Sequence, residues 1–279
     1  MSVPEEVTVR TEPKPVGPSW RLRLAIALKE RETTLLALVT MAVFLALWEL
    51  APALGLANPN FTSSPSRIVG AAGWLFAHGF WTDIRVSTTE FALGLAMAIL
   101  LGVPIGIILG WYRRPRAMFE PFVIAFYSLP RVALMPLIIL WLGIGMESKV
   151  AVVFLGAVFP IIVSVMAGMS TIDATLLQCA RSFTANDQQV FRTLAVPSTV
   201  PFLITGLRLG VGRGLVGIVV GELIAARAGV GHMMARAGAT FQIDKVFVGV
   251  LFLVIVGVSL NALLRAAESH FESWRPVRS

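Results

Sequence analysis

Long apolar runs dominate this chain, and they leave it one solvent to fold in. Residues 33–54, 84–111, 119–142, 150–169, 200–224 and 246–266 carry few charges, and each reaches the roughly 20 residues that an α-helix needs to cross a hydrocarbon core. Backbone in lipid must satisfy its own hydrogen bonds, so these runs predict an all-α polytopic membrane protein with six transmembrane helices. Composition agrees: 56% of the chain is apolar and 14% charged, where soluble domains approach a quarter charged. An even number of crossings returns the C-terminus to the side of the N-terminus. Fourteen Lys and Arg fall on that side, among them Arg113, Arg114, Arg116, Arg181 and Arg192, against six opposite, which include Arg67, Lys149, Arg227, Arg236 and Lys245. The excess of basic residues predicts that both termini are cytoplasmic.

The same charges exclude nucleic acid as a partner, because the net +7 is spread between apolar runs and never gathered with interleaved aromatics. The partner they imply is the lipid bilayer. One cysteine, Cys179, permits no intrachain disulfide. Residues 1–19, with Pro4, Pro13, Pro15 and Pro18 among mixed charges, predict a disordered cytoplasmic tail. Residues 20–32 predict a basic amphipathic helix suited to an anionic leaflet, residues 33–270 the transmembrane domain, and residues 271–279 a second cytoplasmic tail. In the outer loop, Pro65 opens a short helix with Ile68, Val69, Ala72, Leu75 and Phe76 on one face, and residues 227–244 predict a further surface or re-entrant helix. His78, His232 and His270 fall far apart in this topology, so no metal site is expected.

Within the spans, Gly102, Gly106 and Gly110 recur every fourth residue, as do Gly206, Gly210 and Gly214. Such faces let helices approach closely in lipid, and they predict the surfaces through which two copies of the chain meet. Pro104, Pro130, Pro136 and Pro160 break or kink the second, third and fourth spans. Four charges are expected at depth, where each must face the bundle interior or a wet path: Arg131 at a helix break, Arg208, Arg213 and Glu222. Arg208 and Glu222 fall within about 40° on a helical wheel and about 21 Å apart along it, giving one interior stripe with Glu222 as its sole carboxylate. Arg213 lies on the glycine side. These four are the candidate pathway residues.

A polar island at 171–199 interrupts the runs. It predicts a helix over 174–183, a turn, and a second helix over 187–194 that stops before Val196-Pro197, with Asp173 and Asn186 as N-caps. No G-x-x-x-x-G-K-[ST] occurs, so the chain has no P-loop of its own, and no nucleophile–base pair suggests an enzyme.

The island resembles a known element. Gln178-Cys179-Ala180-Arg181, Thr184 and Val196-Pro197 are similar to the cytoplasmic EAA loop of ATP-binding-cassette (ABC) importer permeases, whose pattern is Glu-Ala-Ala, three residues, Gly, and a downstream Leu-Pro. Gln178, Cys179, Thr184 and Val196 depart from that pattern. LPRVALMPLIILWLGIG (129–145) and TGLRLGVGRGLVGIVVGELIA (205–225) resemble the branch importing nitrate, taurine and aliphatic sulfonates, and the likeness spans 63–274.

The resemblance implies the type I ABC importer permease fold in the plasma membrane. It implies a pathway for a small polar or anionic solute, a second permease subunit, two ATPase subunits that bind the ATP, an extracytoplasmic binding protein, and no cofactor on this chain. Coupling to the ATPases would fall to Asp173, Gln178, Cys179, Ala180, Arg181, Thr184, Asp187 and Pro197. Glycine's place in the pattern is taken by Thr184, which predicts either a more extended turn or a negative φ with the hydroxyl bonded locally. The competing expectation is a secondary active transporter using Glu222 and the arginines.

Overall fold

The computed structural model describes residues 20–172 and 174–272. The reading of 1–19 as a tail, that of Asp173 as a cap and, of the tail read at 271–279, all but the helical residues 271 and 272 lie outside them, as do the side chains of 20–31, 33 and 270–272. Two compact units divide at residue 57. The first holds one helix, α1 (Trp20–Ala53), in which the basic residues 20–32 run without a break into the apolar stretch Thr34–Ala53. Pro52 sits in its last turn, and Gly55 at φ +71° takes the chain out of the helix.

The second unit contains α2 (Pro59–Thr62), α3 (Pro65–Ala77), α4 (Phe80–Trp111), α5 (Arg113–Ser128), α6 (Met135–Leu142), α7 (Met146–Ser170), α8 (Ala174–Ser182), α9 (Asp187–Val190), α10 (Val196–Ala225), α11 (Val230–Ala239) and α12 (Ile243–Glu272). Helix α7 is its axis, with a buried row that includes Val153, Ala157, Ile161 and Val165. The glycine faces meet there. A Cβ on Gly94 would strike Val153, one on Gly102 would meet Ile161, and one on Gly106 would lie 2.7 Å from Val165 Cβ, so α4 runs parallel to α7 in constant register. Gly206 lies against Ser164 and Ile161, Gly210 against Ala157 and Gly217 against Val152, so α10 runs antiparallel on α7. The expectation that these faces join two copies is therefore corrected: both pack inside one chain. Glycine in a helix costs about 1 kcal/mol relative to alanine, and close backbone approach offsets it in lipid.

The third expected span, 119–142, is not one helix. Helix α5 ends at Ser128, and the chain turns by 86° into the segment Arg131–Leu142, a 3-10 turn (Arg131–Leu134) followed by α6. Leu129 precedes Pro130 and is held extended at φ −71°, ψ 132°, because the proline ring clashes with a helical predecessor. Since α4 ends and α7 begins at opposite ends of the bundle, the bent pair still carries the chain across. Five unbroken helices and this pair are long and apolar enough for up to six crossings among the described residues.

Helix α9 also differs from expectation. It does not stop before Pro197 but passes through a π-turn, Phe191–Ala195, into α10, so that Asp187–Ala225 is continuous. A proline ring clashes with the carbonyl four residues back in a regular helix; the wider π-turn just before Pro197 relieves it.

Candidate functional site

The bend at Pro130 lifts the chain away from α7 and α10 and opens a cavity of about 420 Å³. Its walls include Pro130, Arg131 and Val132 on one side and Val152, Gly156, Gly212, Arg213 and Gly217 on the other. Gly212 leaves room in it; a Cβ there would meet nothing within 4 Å.

Arg131 and Arg213, which a linear reading put on separate spans, meet here around one tyrosine. Arg213 Nη2 donates to the Tyr127 hydroxyl at 3.0 Å, with its guanidinium carbon 4.3 Å from the ring centre. Arg131 Nη2 donates to the Tyr127 carbonyl at 2.8 Å, and its guanidinium lies 5.9 Å from the rings of both Tyr127 and Phe159. Arg131 Nε is buried without an acceptor, and no carboxylate lines the cavity. Two guanidiniums thus face one space with only ring faces, a hydroxyl and carbonyls around them.

Arg208 and Glu222 do not join this cavity, which corrects the single stripe. Arg208 Nη2 pairs with Glu268 of α12 at 2.5 Å. Glu222 is 1% exposed, accepting from Ser87 Oγ at 2.5 Å and from the Gly231 amide at 2.7 Å. Ser87 Oγ in turn accepts from the Val230 amide, and Asp83 Oδ1 from the Gly229 amide, both at 2.8 Å. Glu222 satisfies one backbone donor at the start of α11 directly and Ser87 another, donors that a helix leaves free, and together they tie α11 to α4 and α10.

Glu222 is not the sole deep carboxylate. Glu90 lies buried beside it, paired with Lys149 Nζ at 2.5 Å. Lys149 is no loop residue; it sits in the first turn of α7 and is 4% exposed. A signal for Glu90 existed, since it stands four residues before Gly94 on the glycine face of α4.

At the opposite end, α8 closes with the two hydrogen bonds of a Schellman motif, Ala185 N–H to the Ala180 carbonyl at 3.0 Å and Thr184 N–H to the Arg181 carbonyl at 2.9 Å. That motif puts a left-handed residue at its C′ position, and Thr184 occupies it at φ +58°. The expected negative φ or extended turn is thus corrected. The hydroxyl does bond locally, to the Phe183 carbonyl at 2.7 Å. Asn186 and Gln189 form a reciprocal capping box on α9, and Arg181 bridges the turn to Asp187 at 2.7 Å. Gln178, Cys179 and Pro197 are exposed, as are Leu176 and Phe183, so the loop offers apolar surface away from the bundle.

A β-branched residue in the left-handed region is strained by about 1–2 kcal/mol. Thr184→Gly is expected to raise the stability of the loop by about 1 kcal/mol, measured as increased amide-exchange protection over 180–189; unchanged protection would show the Thr184 turn to be unstrained.

Compared with known proteins, residues 102–273 match the family model for the binding-protein-dependent transport system inner membrane component. The chain belongs to that family. The permease is 31% identical over 262 residues to the taurine transport system permease protein TauC of Escherichia coli (strain K12), covering 91% of this chain and 93% of that one. It is 30% identical over 244 residues to the formylaminopyrimidine transport permease protein ThiX of Halalkalibacterium halodurans, covering 88% and 96%.

Its fold is that of the permease chain in inward-facing conformations of the MetNI methionine ABC transporter (TM-score 0.55, 19% identity, 69% of this chain and 96% of that one). An amino acid ABC transporter superposes similarly (TM-score 0.58, 13% identity, 71% and 97%). The permease thus has the type I importer fold and is a multi-pass inner-membrane component, not an enzyme. It works with ATPase subunits and a binding protein, and the reading as a secondary active transporter is set aside.

Proposed function

We propose that the permease carries a small organic anion, of the sulfonate or carboxylate class, through the cavity between the Pro130 bend and α10, with Arg131 and Arg213 as its charge-bearing lining. The carrying observation is two guanidiniums on one cavity without a carboxylate, an arrangement costly in lipid unless an anion visits it. The similarity to TauC supports a sulfonate; the near-equal similarity to ThiX means that kinship alone does not select it. Arg208 and Glu222 fall outside the pathway in this reading and act by joining helices.

The permease works as a homodimer with two ATPase subunits, both termini and the α8 loop lying in the cytoplasm, and an extracytoplasmic binding protein delivering the solute. ATP is held by the ATPases, and this chain needs no cofactor. Gln178, Cys179, Ala180, Arg181 and Thr184, with Asp187 and Pro197 setting the turn and the start of α10, form the surface that the ATPases grip; Asp173 precedes it in sequence.

Removing one charge-assisted hydrogen bond to a bound anion costs about 1.5–3 kcal/mol. Arg131→Gln and Arg213→Gln should each weaken solute uptake about 10- to 100-fold in liposomes holding the assembled transporter. Tyr127→Phe, which keeps the ring and frees Arg213, should act more weakly. Uptake unchanged in both arginine variants removes the cavity from the pathway. Ala180→Glu should leave the permease folded but abolish co-purification of the ATPase; normal assembly and ATP hydrolysis would make α8 a mere connector.

A further inference from the structure

A second cavity, of about 430 Å³, lies at the end of the bundle away from α8, between the end of α3, the start of α4, the length of α11 and the start of α12. Arg227, Arg236, Lys245, His78 and His232 line it, with Asp83 as its one carboxylate. A linear reading set the two histidines far apart; folding brings both to this wall. Asp83 is already engaged through Oδ1 by the Gly229 amide, and the neighbouring Asp244 is taken by Arg67 at 3.1 Å and by Ser63 Oγ at 2.6 Å. Arg227 and Arg236 have no carboxylate partner among the described residues. Apolar wall comes from Leu75, Phe80, Met233 and Ala237 and uncharged polar wall from Thr240 and Gln242, and three cations converging on one concave surface raise the local potential for an anion.

The cavity is also ordered from behind. Trp74 stacks on His78 with centroids 4.2 Å apart and carries Lys245 Nζ 3.6 Å from its ring centre. His78 Nδ1 lies 2.7 Å from the Trp74 carbonyl; since a carbonyl only accepts, Nδ1 is the donor, which leaves Nε2 for a ligand. The start of α11 is held by the Glu222, Ser87 and Asp83 bonds, so the helix carrying His232 and Arg236 is anchored. A pocket of this size accommodates a small molecule, and its charge selects an anion.

We propose that this second cavity binds a small oxyanion group, a carboxylate, sulfonate or phosphate, independently of the Arg131 and Arg213 cavity. The group comes either from a free anion or from the headgroup of an anionic lipid. The test uses the full-length permease carrying Arg131→Gln and Arg213→Gln, so that the first cavity does not contribute, in phosphatidylcholine nanodiscs.

Calorimetric titration with inorganic phosphate and with methanesulfonate is expected to saturate, and Arg227→Gln with Arg236→Gln to weaken it by about tenfold or more. If instead only phosphatidylglycerol is retained through purification, and is lost on the same two changes, the oxyanion is the lipid's. A titration indifferent to Arg227 and Arg236 overturns the proposal. So does absence of binding by all three probes, including the case in which these changes impair only docking of the binding protein, which would make the cavity a protein contact. Both arginines are exposed, so the variants fold, and loss of uptake on Arg131→Gln leaves this result untouched.

Discussion

Replacing Lys149 by methionine is expected to destabilise the permease by about 3–5 kcal/mol, whereas Glu90→Leu with Lys149→Met together costs far less. Both side chains are buried, Glu90 at 3% and Lys149 at 4% exposure, and they bridge α4 to the first turn of α7. Alone, each charge would sit in a medium that solvates it poorly; paired, their attraction repays only part of that cost. Removing one partner therefore leaves the whole penalty, and removing both abolishes it. Glu90 Oε2 already lacks a hydrogen-bond partner, so the Oε1 contact to Lys149 at 2.5 Å is the one that stabilises the anion. A double-mutant cycle of thermal unfolding in detergent measures the coupling. A single-variant loss below about 1 kcal/mol would show that water or a proton reaches Glu90 and that the pair is not sealed.

Gly206→Leu and Gly212→Leu, six residues apart on one helix, should fail in opposite ways. At Gly206 a Cβ would lie 2.8 Å from Ser164 Cβ and 3.2 Å from Ile161 Cα. Backbone cannot rotate aside, so α10 must leave α7, with a loss of about 1–3 kcal/mol or more. At Gly212 nothing lies within 4 Å, and leucine forms helix better than glycine, so stability holds or rises slightly. The leucine there occupies the cavity shared by Arg131 and Arg213, and uptake should fall. Unfolding midpoints and uptake on the same preparations separate the two. Equal stability of both variants would contradict the α7–α10 contact, and full uptake by Gly212→Leu would contradict the cavity's role.

The membrane solvent, the all-α class and the approximate helix positions were legible from residue order alone, because a run of apolar residues long enough to cross lipid has no competing way to satisfy its backbone. Residue order also located the α8 turn and the Asn186 cap, which depend on neighbours a few residues away. Which side chains share a space depends on packing between helices far apart in the chain. The glycine stripes were visible, but their partner was not: a bare face fits another copy or another helix of the same chain equally well, and the choice rests on the register of α4 and α10 against α7.

Arg208 and Glu222 shared a helical face, yet their partners come from α12, α4 and α11, which a wheel drawn on one helix does not contain. Arg131 and Arg213 meet because the span turns by 86° at Pro130; the proline foretold a break but not its angle. Thr184 shows the same limit at short range. Propensity argues against positive φ for a β-branched residue, but the hydrogen bonds that end α8 and the chain's need to return toward α10 outweigh a local strain of about 1–2 kcal/mol. Propensity is a property of one residue, whereas a conformation answers to every contact that the residue's backbone serves.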